Sequence, residues 1–203
     1  MAVNLKKGQK INLKKENGSS LRSVTVGLGW DVIAPPKKGG FFGFLSSLST
    51  PNCDCDASVF ACKGGKLIHN GDVVYFGNLT HSSGAIRHMG DNLTGEGEGD
   101  DEQIQVELSK LPSDYDKLVF VVNIYSAKSR NQHFGMIQNA FIRIVDNDTN
   151  SELCRFNLSD NYDNMTAMIF GEIYKLDGEW KFNAIGQGTT DNNISELSQR
   201  YSK

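Results

Sequence analysis

The chain has 203 residues, 38% of them hydrophobic and 22% charged, with a net charge of −3. That length can bury a core without disulfide staples, and the composition is that of an ordinary soluble globular protein with no window approaching a membrane span. The 21 basic residues against 24 acidic ones give no excess of positive charge for nucleic acid to find.

Four prolines and 21 glycines, among many Val, Ile, Phe and Thr, lean toward strands and turns. The opening residues carry Lys but no following apolar run, so no signal peptide is expected. KINL (10–13) and LRSVTVGLGW (21–30) open the strand patterns, with Val24, Val26 and Leu28 alternating in the second. Residues 34–52, APPKKGGFFGFLSSLSTPN, break the rhythm. Phe41, Phe44, Leu45 and Leu48 fall at helical spacing behind Lys37 and Lys38. Such a stripe is either a cover packed on its own domain or a foot for a partner or an anionic membrane.

ASVFACKGGKLIHNG (57–71) predicts a hairpin turning at Lys63-Gly64-Gly65-Lys66, followed by a strand in DVVYFGNL (72–79). QIQVELS (103–109) alternates cleanly. KLVFVVNIYS (117–126) is almost continuously apolar, which suits a central strand buried on both faces. Residues 139–158 predict two strands around Asp-Asn-Asp-Thr-Asn-Ser. Residues 166–188 predict two more around Asp177-Gly178, a strong hairpin signal. In the tail, Ile194, Leu197 and Tyr201 at helical spacing after a polar cap predict a short helix. The expected fold class is mainly β: an antiparallel β-sandwich with a few short helices, one of them C-terminal. The expected organisation is one domain over 1–203, with an inserted apolar segment at 34–52 and a tail at 189–203.

The densest chemistry lies in DNLTGEGEGDDE (91–102). Asp91, Glu96, Glu98, Asp100, Asp101 and Glu102 crowd together without a Lys or Arg between them, spaced by Gly95, Gly97 and Gly99. Removing six negative charges from a net −3 would turn the balance positive, so the acidity is local. Like charges this close repel, and burial adds to the cost. A hard cation relieves both. Calcium takes six to eight oxygens from carboxylates, carbonyls and water, and glycines let the backbone turn its carbonyls inward. The loop has no His or Cys for zinc or copper. It is not an EF-hand, because Glu96 stands where that loop needs glycine and the flanks read as strands. The bland alternative is a solvated acidic turn.

A second acidic pair sits in CDCDAS (53–58). On a strand Asp54 and Asp56 share one face and Cys53 and Cys55 the other, with carboxylates out toward a metal and thiols into the core. Asp31 is a further candidate. The four cysteines, Cys53, Cys55, Cys62 and Cys154, read as reduced thiols of a cytoplasmic protein. His69, His81, His88 and His133 show no zinc-helix spacing and read as surface or loop residues. No motif pairs a nucleophile with a base, and an enzyme is not expected.

VGLGWD (26–31), CDCDAS (53–58), HMGDNLTGEGEGDDE (88–102), NAFIRIVD (139–146) and GEWKFNAIGQG (178–188) together resemble the TerD family of bacterial tellurium-resistance and general stress proteins. The match runs in order from about Lys6 to Gly188. The resemblance implies a calcium-binding β-sandwich of the bacterial cytoplasm, with some members gathering in complexes near the inner membrane. The inserted Gly-Phe-Leu segment is similar to the TerZ branch and QNAFIRIV to TerD proper. The expected metal residues are Asp31, Asp54, Asp56, Asp91, Asn92, Thr94, Gly95, Glu96, Gly97, Glu98, Asp100, Asp101 and Glu102. Calcium is the expected cofactor, and other stress or tellurium-resistance proteins are the expected partners, with a peripheral membrane contact as a further option and no nucleic acid. The leading expectation is a calcium-binding, non-enzymatic stress-response module. The alternatives are thiol handling of tellurite or oxidants through Cys53 and Cys55, where the family often has apolar residues, and an adaptor that uses residues 37–48.

Overall fold

Val24, Val26 and Leu28 are fully buried, with Thr25 only half-buried between the first two, as in a strand with one face on a core. They belong to β3 (Val24–Val32), one strand of the computed structural model, which describes residues 2–15, 17–33, 53–90 and 99–202. Among these residues two six-stranded sheets stack face to face.

The first sheet runs β1 (Val3–Leu5), β10 (Ser151–Asn157), β9 (Ile137–Asp146), β3, β7 (Glu102–Val106) and β6 (Ile86–His88). The second runs β2 (Lys10–Asn12), β12 (Glu179–Thr189), β11 (Ala167–Leu176), β8 (Lys117–Ile124), β4 (Cys55–Cys62) and β5 (Val73–Val74). All pairs are antiparallel except β1 with β10. The first dozen residues thus add an edge strand to each sheet. Between the sheets Leu28, Ile104, Ile142 and Ile144 meet Val59, Phe120, Phe170 and Phe182 in one core.

β8 is the expected central strand: it lies between β11 and β4, and every residue after Lys117 is buried. Its outer face is covered as well. Phe60, Val119, Val121, Ala167 and Ile169 form a second cluster with Leu197 of α2 (Ile194–Ser198), and Ile194 and Tyr201 pack against it. The tail helix forms where its spacing predicts. Asn193 accepts the Glu196 N–H as its N-cap, and Glu196 Oε2 accepts the Asn192 N–H in return.

Two expectations change. The Lys63–Lys66 turn forms, with Gly64 and Gly65 at positive φ, but only as an isolated bridge. The strand that pairs with β4 is the later Val73–Val74, not the run straight after the turn. Leu67 is drawn away to the tail, where its N–H donates to the Tyr201 carbonyl. The histidines also divide. His81 and His88 are 1% and 2% exposed, so these two are interior residues rather than surface ones. The apolar segment 34–52 lies outside the described residues.

Candidate metal centre

The end of the acidic run is anchored from three sides. Gly27 of β3 pairs with Gln103 of β7 and Arg143 of β9, leaving a slot without a side chain between them. Asp100 fills it, and a Cβ on Gly27 would overlap its carboxylate. Arg143 donates to it twice, Nε to Oδ1 at 2.7 Å and Nη2 to Oδ2 at 2.9 Å, and Gln103 Nε2 donates at 2.9 Å. This fork raises the Arg143 pKa, chiefly through the Asp100 hydrogen bonds.

Asp101 turns the other way. Its Oδ2 accepts the Trp30 N–H at 2.6 Å, and its own N–H donates to the Leu28 carbonyl. Its carboxyl is held above the ordinary range, first by burial and then by the negative charges of Asp31 and Asp100. Asp31 follows a bulge in the β3–β9 pairing. It is exposed and accepts the Asn139 Nδ2–H at 2.6 Å. An open cleft beside it is lined by Trp30, Asp31, Gly99, Asn139, Phe141 and Arg155.

Glu102 points inward. Its Oε2 accepts the Ala57 N–H at 2.8 Å and lies 3.0 Å from His88 Nε2. The Gly90 N–H donates to His88 Nδ1, so that nitrogen is an acceptor and Nε2 carries the proton toward Glu102. One buried carboxylate therefore ties β7 and β6 of the first sheet to β4 of the second.

The structure brings Asp31, Asp100 and Asp101 into one electrostatic group and sets Glu102 beside the CDCDAS strand. Cys53 and Cys55 face the core as expected, each 1% exposed. The carboxylates of that strand do not both face out. Asp56 is 5% exposed and accepts a long hydrogen bond from Asn123 Nδ2, its partner across β4–β8, at 3.5 Å. It is enclosed because all of β4 is buried on both faces. Asp54 is partly buried, with Oδ2 3.7 Å from Arg130 Nη1 at the end of α1 (Ala127–Arg130). Asp91, Asn92, Thr94, Gly95, Glu96, Gly97 and Glu98 lie outside the described residues. Sequence reasoning missed Arg143, His88 and Asn139. Only Arg143 carried a signal, a charge alternating with Ile142 and Ile144 on a strand.

Does a hard cation fit here? The oxygens that converge are those of carboxylates, the choice of calcium and not of zinc, while the amides of Gln103 and Asn139 turn their N–H groups to Asp100 and Asp31. Among the described residues no three His, Cys, Asp or Glu groups close a site on their own.

Fold and site define the class: a two-sheet β-sandwich with a carboxylate-rich rim at one end. The chain belongs to the TerD family, whose TerD domain model matches residues 1–201. It is 50% identical to stress response protein SCP2 of Bacillus subtilis (strain 168), over 99% of this chain and 100% of that one. It is 42% identical to tellurium resistance protein TerD of Serratia marcescens, over 93% and 91%. A solved homologue of telluride resistance protein from Streptomyces coelicolor A3(2) shares the fold, with TM-score 0.64, 21% identity and coverage of 90% and 99%.

Proposed function

We propose that this member of the TerD family binds calcium at the Asp31–Asp101 rim and acts in the cytoplasm as a non-enzymatic module of a stress-response assembly. The observation that carries the reading is the convergence of Asp31, Asp100 and Asp101 at one rim, an excess of carboxylate over the Arg143 guanidinium that pairs with Asp100. A bound dication would remove that excess. Asp31 and Asp101 would hold it together with oxygens of residues 91–98. Arg143 and Asn139 would orient the carboxylates, and the Glu102–His88–Ala57 link would hold the loop's C-terminal end on both sheets. When bound, calcium would supply charge neutralisation. Among the described residues no helix is long and apolar enough to cross a membrane. The curated relatives' names place stress and tellurium resistance in the family.

Calcium titration of the chelator-treated protein, followed by calorimetry at low salt and by native mass spectrometry, tests the reading. Binding of one or two calcium ions that magnesium does not replace is expected. The absence of both heat and added mass would remove it.

A further inference from the structure

Away from the acidic rim, one buried carboxylate is left with an idle oxygen. Asp72 closes the short 3-10 turn Asn70–Asp72 ahead of β5 and is buried. Its Oδ1 accepts the Tyr115 hydroxyl at 2.8 Å and lies 3.2 Å from His81 Nε2, but its Oδ2 is enclosed without a hydrogen-bond partner. His81 is buried beside it, its ring edge-on to Tyr115 with centroids 5.0 Å apart. The other ring nitrogen, Nδ1, lies 2.7 Å from Ser83 Oγ and accepts the Ser83 N–H at 3.2 Å. Nδ1 is therefore an acceptor, so Nε2 carries the proton toward Asp72 and the Ser83 hydroxyl donates to Nδ1. A tight turn holds the pair. The Gly84 N–H donates to the His81 carbonyl, Gly84 takes a φ of +69°, and the His81 N–H donates to the Ile86 carbonyl. Two sheet edges meet here, since Asp72 leads into β5 and Ser83 into β6.

We propose that Ser83, His81 and Asp72 form a nucleophile relay through which Ser83 takes an acyl group from an activated ester or thioester. The three groups stand in the required order: a hydroxyl within hydrogen-bond reach of a base, and the base oriented by a carboxylate. The ring nitrogens are used in the reverse order from the serine proteases, which the chemistry tolerates because either nitrogen can accept a proton. Asp72 Oδ2 marks the arrangement as more than a turn. A turn needs Ser83 and His81 alone. A buried carboxylate with an idle oxygen gains from positive charge beside it, and the imidazolium formed during attack is that charge. Ser83 is half-buried between exposed Ser82 and Gly84, so the nucleophile's turn meets solvent while base and carboxylate do not. The Ala85 N–H donates to Ser83 Oγ at 3.2 Å and leaves the second lone pair for attack. In the step, a bond forms between Oγ and the acyl carbon. The bond to the leaving oxygen or sulfur breaks, its electron pair departing with that atom. The serine proton passes to His81 Nδ1 and on to the leaving group, and nothing is oxidised or reduced. The product is one acyl-serine per chain, a modification and not a turnover, and no member of the relay belongs to the calcium rim.

The test mixes the full chain, kept in chelator, with p-nitrophenyl acetate. A burst of one nitrophenolate per chain is expected, with one acetyl group in the intact mass that peptide mapping places on Ser83. Ser83→Ala should lose the burst, and Ser82→Ala, at the exposed neighbour, should keep it. His81→Gln should slow it about a hundredfold or more, the usual contribution of a positioned base. Asp72 acts through His81 as a positioning residue. Asp72→Asn should slow the burst, whereas Tyr115→Phe, which removes the other hydrogen bond to the same oxygen, should not. Equal losses in these two variants would make Asp72 a structural anchor and overturn the relay. Circular dichroism checks the fold of each variant. Should a variant not fold, a fluorophosphonate on the unsubstituted chain decides, with phosphonylation at Ser83 expected. No burst, acetyl groups on lysines alone, or a burst that survives Ser83→Ala would each overturn the proposal. Because the measurement is made without calcium, its failure leaves the calcium reading untouched.

Discussion

At the scale of single residues, the three acids that end the loop have different tasks. Asp100 is a structural counter-ion, its side chain only 1% exposed against Arg143. Arg143→Ala would leave that carboxylate enclosed with Gln103 as its remaining donor. We expect a loss of about 3 kcal/mol, the low end for breaking a buried pair, read from urea unfolding. Arg143→Lys should not restore it, because a single ammonium cannot repeat the two-pronged contact. Asp101 behaves in the opposite sense. Its native pKa lies above the ordinary carboxylate value, so the folded state holds this proton more tightly than the unfolded chain does. That contribution is present at pH below the ordinary carboxylate range and is lost as pH rises through the raised value. In calcium-free protein at neutral pH, Asp101→Asn should therefore raise the melting temperature by a few degrees while weakening calcium binding. The neutral amide still offers an oxygen to the Trp30 N–H. A calcium-free melting temperature that falls would show the carboxylate's hydrogen bond to outweigh the repulsion.

At the scale of elements, the hairpin of β11 and β12 was legible down to its turn. Asp177 and Gly178 take φ of +54° and +81°, the paired left-handed conformation that matches strand twist. Gly178→Ala should cost about 1 kcal/mol, the penalty of a Cβ in that region, measured as a shift in urea midpoint at constant slope. β8 was legible too, because a strand buried on both faces carries no polar alternation. The partner of β4 was not. Lys63-Gly64-Gly65-Lys66 is a good local turn, but pairing of the residues after it competes with their burial against the tail. Turn chemistry in a sequence carries no account of that competition.

At the scale of the whole molecule, the loop's C-terminal end is where the two sheets are tied by polar groups, through Glu102 to Ala57 and His88. A cation seated there would stabilise the global fold and not the loop alone. At free calcium about one hundred times Kd the gain is about 2.7 kcal/mol, visible as a rise in melting temperature over the same protein in chelator. A rise with calcium absent in magnesium is the outcome the proposal requires.

By itself the sequence determined the class of fold and where the acids concentrate. Period-two burial, glycine turns and an acid run without counter-charges are local properties, written in consecutive residues. Only the tertiary structure decided which acids share a field and which are spent on anchoring. Asp31 and Asp101 are 70 positions apart in the chain, and Arg143 reaches Asp100 only because β9 and β7 flank Gly27 of β3. Strand order and register set those neighbours, and both are settled by packing across the sandwich, which no short stretch of sequence contains.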